Sequence, residues 1–150
     1  MKKLFPLLLT VILFGGCAGG QGTAKSPNPN YLRECVRNYT SEGSFFAGYS
    51  HKSHAFVKGV SQSDAIKRAA RYILSDGWQI QSTDEKLGII SASQGVSFGK
   101  GERVPLNVGI EQINGGVNIT FAFSTSGGQV ASDENIQSVF CSVVQAVQGK

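Results

Sequence analysis

From Val104 to Phe123 the chain alternates so regularly that it can be little other than a β-hairpin. Val104, Leu106, Val108 and Ile110 take every second place, Asn114-Gly115-Gly116 interrupts, and Val117, Ile119, Phe121 and Phe123 resume the alternation opposite Asn118, Thr120 and Ala122. Successive side chains of a strand point to opposite faces, so each arm carries one apolar and one polar face. The Asn-Gly-Gly step supplies the positive backbone angles of a tight hairpin turn. A hairpin wet on one side and apolar on the other predicts an antiparallel sheet whose dry face is covered by other elements of the chain.

Two segments have the period to cover it. Ala65, Ile66, Ala69, Ala70, Ile73 and Leu74 recur at three- and four-residue steps, which is the spacing of one helical stripe. Ser61 stands at the cap position with Asp64 three residues on, and Gly77 supplies the left-handed residue that ends such helices. The second helix is predicted from about Asp133 to Gln148, capped by Ser132, with Ile136, Val139, Phe140, Val143, Val144 and Val147 facing the core. Further strands are expected at Ser44–Ser50 and His54–Val60, separated by a polar break, then at Trp78–Thr83 and Ile89–Ser93. Between Tyr31 and Glu42 a short helix or loop is expected. The fold class is therefore α+β: an antiparallel sheet with two amphipathic helices packed on one face.

The N-terminus constrains the compartment. MKKLFPLLLTVILFGGC has two lysines, an apolar run of about a dozen residues, and two glycines before Cys17. That order is a secretory signal, and the run is shorter than the roughly 20 residues a membrane-spanning helix needs. Gly15-Gly16-Cys17 resembles a lipobox, at which bacterial lipoproteins are cleaved and lipidated on the new N-terminal cysteine; Phe14 departs from the aliphatic residue usual there. The alternative is ordinary cleavage after Ala18, because Gly16-Cys17-Ala18 is also small-x-small. Residues 18–30, AGGQGTAKSPNPN, have almost nothing to bury and read as a disordered tether. The chain divides accordingly into a signal over 1–16, a lipidated cysteine and tether over 17–30, and one domain over 31–150.

With Cys17 assigned, Cys35 and Cys141 remain, and an even pair in an exported chain reads as a disulfide. A metal pair or a reactive thiol are the alternatives, and neither has His or Cys partners close in sequence. On the last helix Cys141 lies about 120° from the centre of the apolar stripe, on a flank that can reach a neighbouring segment.

Charge excludes little. The formal net charge of +4 includes Lys2 and Lys3; without them 12 basic and 10 acidic residues leave +2. No long basic stripe points to nucleic acid, and Lys67, Arg68 and Arg71 read as a solvated helix face. The loop Gln94–Glu102, QGVSFGKGE, contains GVSFGK but has no hydroxyl after the lysine and precedes a strand, so it reads as a hairpin loop rather than a phosphate cradle. The two histidines, His51 and His54, would point opposite ways along a strand and have no metal partners nearby. No GxSxG or HExxH motif is present. No catalytic residue, metal ligand or cofactor site is assigned.

From Phe56 to Lys150 the element order, with the AIKRAARYIL…GW…D…G.I.A rhythm of Ala65 to Ala92, resembles the small helix-on-sheet domains of BamC-like periplasmic lipoproteins. The resemblance implies a non-enzymatic accessory or binding module of the envelope, facing the periplasm from the outer membrane. Ala18 rather than Asp after the lipidated cysteine is in keeping with outer-membrane sorting. Its partners would be the membrane, through the lipid anchor, and another envelope protein. A soluble periplasmic location, a small hydrolase using His51 or His54 with an acid and a hydroxyl, and a carrier of apolar ligands between helices and sheet are the competing expectations.

Overall fold

The computed structural model describes residues 34–96 and 101–149. The signal, Cys17, the tether and Ser97 to Lys100 of the glycine-rich loop lie outside the described residues. The strands are β1 (Thr40–Ser44), β2 (Gly48–Lys58), β3 (Gln79–Asp84), β4 (Ile89–Gly95), β5 (Arg103–Ile113) and β6 (Gly116–Ser124); the helices are α1 (Gln62–Ser75) and α2 (Asp133–Gln148). A single helical turn over 34–37 precedes β1.

The expected hairpin is the centre of the sheet. β5 and β6 pair with Leu106 opposite Phe123, Val108 opposite Phe121 and Ile110 opposite Ile119. All six of these side chains are buried. The strand order is β1-β2-β6-β5-β4-β3, with every neighbouring pair antiparallel. Joining β2 to β6 sets Ala55 against Ile119 and Val57 against Val117, and so extends the apolar face across the sheet. The fold is α+β, with both helices on that face.

Each helix is held by the signals read from its ends. The Ser61 hydroxyl accepts from the Asp64 N–H, and Ser132 accepts from Asn135 in the same way. Ala65, Ile66, Ala69 and Ile73 of α1 are buried, but Leu74 is 56% exposed and leaves the expected stripe. Ile73 in the same turn is buried, and Leu74 lies about 100° further round the helix, off the buried stripe. In α2, Ile136, Phe140, Val143, Val144 and Val147 are buried, and Phe140 stacks on Phe121 with ring centroids 4.8 Å apart.

Three expectations are corrected. The break expected between two early strands does not exist: β2 runs unbroken through His51-Lys52-Ser53. Its odd-numbered residues all face inward, and the two polar ones find partners there. His51 meets Tyr39, and the Ser53 hydroxyl donates to the Cys35 carbonyl at 2.6 Å. The first strand lies earlier than expected, at Thr40–Ser44, where its five exposed residues hydrogen-bond as the sheet's edge. Trp78 precedes β3 rather than starting it, and the pairing of β3 with β4 shifts register between Ile80 and Ser82.

Candidate functional site

Cys35 and Cys141 are bonded, with Cα atoms 5.6 Å apart. The bond ties the 34–37 turn to the flank of α2. That turn also lies along β2, where the Phe56 N–H donates to the Glu34 carboxylate at 3.2 Å and the Asn38 amide donates to the His54 carbonyl at 3.1 Å. Polar bonds on one side and the disulfide on the other bring Tyr39 over the inner face of the sheet.

There Tyr39, His51 and Asp133 meet, from a loop, a strand and a helix start. The Tyr39 hydroxyl donates to Asp133 Oδ1 at 2.8 Å. Its oxygen lies 2.7 Å from His51 Nδ1, and a hydroxyl has only one proton to give. His51 Nδ1 therefore carries the ring proton and donates to Tyr39, with Asp133 Oδ1 3.3 Å away behind it. His51 is 1% exposed, and its other nitrogen, Nε2, is buried without a partner among the described residues. The rings of Tyr39, Tyr49 and Phe123 surround it, with centroids 5.5–6.2 Å from its own.

The electrostatics follow from this order. Burial first, and then the Asp133 carboxylate it bonds, push the Tyr39 phenol well above its ordinary 10.0. The Tyr39 hydrogen bond, more than any other contact, holds the Asp133 carboxyl below its ordinary 3.8, with Ser41 and His51 adding to the effect.

A histidine thus does meet an acid and a hydroxyl, the arrangement that the hydrolase expectation asked for. The order is wrong for a nucleophile. The hydroxyl bonds both ring and acid on the Nδ1 side, whereas Nε2, which would draw a proton from a nucleophile, is buried with no hydrogen-bond partner among the described residues. The arrangement clamps three chain segments together. His54 points to the opposite, exposed face of β2, so the two histidines do not converge. Among the described residues no group of three or more His, Cys, Asp and Glu side chains could hold a metal ion. Lys67 and Arg71 are exposed as expected, but Arg68 is half-buried and donates to the Val147 carbonyl at 2.8 Å, near the end of α2.

The open end of the sheet is built differently. Residues 45–47 form the tip between β1 and β2, and Phe45 and Phe46 pack edge to face with centroids 5.6 Å apart. Phe46 is 90% exposed. The tip is tied to the segment after β6: the Gly128 N–H donates to the Phe45 carbonyl at 2.7 Å, and the Tyr49 N–H to Thr125 Oγ1 at 2.9 Å. Gly127 must lack a side chain, because a Cβ there would meet the Phe46 carbonyl oxygen. Two residues past Gly128, Val130 is 73% exposed at the rim of a pocket of about 400 Å³ between the sheet and the start of α2. The side chain of Gln129 pins this segment, accepting from the Ser126 N–H and donating to Glu102 at 2.6 Å.

Sequence reading named neither Tyr39–Asp133 nor the aromatic tip as a site. The parity of β2 was the available signal for His51, since residues 51, 53, 55 and 57 share one face. The Phe45-Phe46 pair beside Gly48 was the signal for the tip.

No protein-family model matches this chain, and no curated protein matches it. Among solved structures, the crystal structure of Ara h 8.0201 is similar over 80% of this chain and 79% of its own, at 18% identity and a TM-score of 0.38. A superposition that loose bears on neither the fold nor the site.

Proposed function

We propose that this chain is a non-enzymatic envelope lipoprotein, anchored through Cys17 on the periplasmic side of the outer membrane, whose β1–β2 tip binds another envelope protein. The observation that carries the binding role is Phe46. A phenylalanine 90% exposed on a backbone tied to a second segment is costly in water and well suited to be a rigid aromatic anchor, the residue class on which interfaces concentrate their energy. Val130, on the segment to which the tip is tied, is a second exposed apolar side chain. The signal and the Gly-Gly-Cys order support the anchor, and the Cys35–Cys141 bond suits an oxidising compartment.

The test is site-specific photocrosslinking in intact cells. A photoreactive residue at position 46 should give a discrete protein adduct in the membrane fraction, and one at Lys58, at the far end of β2, should not. Equal adducts from both positions, or none from 46, would remove the tip as the interface. Labelling with a fatty-acid analogue should be lost in Cys17→Ser; persistent labelling would remove the anchor.

A further inference from the structure

We propose that the pocket between the sheet and the start of α2 is a binding site for an uncharged small molecule with an apolar body and one or two hydrogen-bonding groups. At about 400 Å³ it lies within the roughly 300–1,000 Å³ range of small-molecule sites, which are mostly apolar with a few placed polar groups. Its walls fit that description. Trp78 and Phe123 form the aromatic floor, meeting edge to face at 6.1 Å. Trp78 Nε1 already donates to Asp76 at 3.2 Å, so the indole has no buried donor left over.

Val104, Ala131 and Val139 line the pocket and are only half-buried, although all three are apolar and pack against the core. A ligand would finish the burial that the chain itself leaves incomplete. Gln94, Thr125 and Asn135 bring amide and hydroxyl groups to the same lining.

Charge decides the class of ligand. Among the described residues, no Asp, Glu, Lys, Arg or His contributes to the lining. A cation would find carboxylates only outside the lining, Asp133 and Glu134 in the first turn of α2 and Glu102 bonded to Gln129, and would lose its water with none of them in contact. An anion would lose its water likewise, and would also approach Asp133 and Glu134 in the first turn of α2. The neutral amides and the hydroxyl can orient an uncharged ligand and cannot neutralise a charged one.

Phe45 and Phe46 of the docking tip are not part of this lining, and one experiment separates the two sites. Trp78 is the only tryptophan, so excitation of the indole should sensitise emission from N-phenyl-1-naphthylamine bound in the pocket of the full chain with its disulfide intact. Val139→Phe and Ala131→Phe, filling the pocket from different positions, should each weaken that probe by about tenfold or more, with unchanged thermal midpoints. Having two fillers guards against one that fails to fold. Phe46→Ser should leave the probe's affinity unchanged, and the anionic probe 1-anilinonaphthalene-8-sulfonate should bind the wild type at least about tenfold more weakly. Absence of sensitised emission, indifference to both fillers, loss of binding in Phe46→Ser, or equal affinity for the anionic probe would each overturn the proposal.

Discussion

The phenol of Tyr39 donates to the carboxylate of Asp133 across 94 residues of sequence, at 2.8 Å. Because the same oxygen accepts from buried His51, this contact joins the disulfide-tethered N-terminal segment, β2 and the first turn of α2. Tyr39→Phe should leave His51 Nδ1 without its nearest acceptor. Losing a buried partner costs about 1–3 kcal/mol; Asp133 Oδ1, 3.3 Å from Nδ1, can take over part of the bond, so a loss of ~1 kcal/mol is expected. Urea unfolding of the two proteins measures it, and an unchanged midpoint would show that Asp133 replaces the phenol completely.

The same contact makes the effect depend on pH. A carboxyl held below its ordinary 3.8 contributes stability above that value and loses it as pH falls below. A phenol raised above 10.0 contributes stability below that value and loses it as pH rises beyond it. The stability gap between wild type and Tyr39→Phe should therefore be widest between about pH 5 and 9 and narrow at both extremes. Thermal midpoints across pH 3 to 11 check this; a constant gap would mean that neither shift is coupled to folding.

Breaking the Cys35–Cys141 bond opens a loop with a sequence separation of 106. Disulfides typically contribute about 2–4 kcal/mol, with longer loops toward the upper end. The Cys35→Ser, Cys141→Ser double mutant should melt lower, and amide exchange should rise first at 34–39, which polar bonds alone would then hold to β2. A uniform rise over the domain would mean that the bond staples the whole core.

Gly48 has φ +89, and a Cβ there would strike the Thr125 carbonyl oxygen. Gly48→Ala should separate the tip from the segment after β6, lowering stability by about 1–3 kcal/mol for the strained backbone alone. Proteolysis should then begin near Phe46. Cleavage elsewhere first would show that the tip is held by other contacts.

Phe140, 1% exposed and stacked on Phe121, joins α2 to the sheet. Phe140→Ala should cost about 3–5 kcal/mol, measured by denaturant unfolding. A cost below about 1 kcal/mol would place the core's weight on α1 instead.

Local chemistry determined most of the architecture. The alternation around Asn114-Gly115 specified the central hairpin, because a one-residue slip would turn every apolar side chain outward. The caps Ser61 and Ser132 and the helical stripes specified α1 and α2, because a helix end must satisfy its own amides within a few residues. Those are short-range constraints, and a sequence displays them directly. Only tertiary structure decided the rest. Ser53 stays in β2 because the Cys35 carbonyl awaits its hydroxyl, and His51 because Tyr39 and Asp133 order its proton; a sequence cannot show partners that come from distant segments. Likewise the pocket exists because Trp78, Phe123 and Val139, from a connection, a strand and a helix, leave space that none of them fills. Which faces meet is written locally, but a gap between them is a property of all three elements at once.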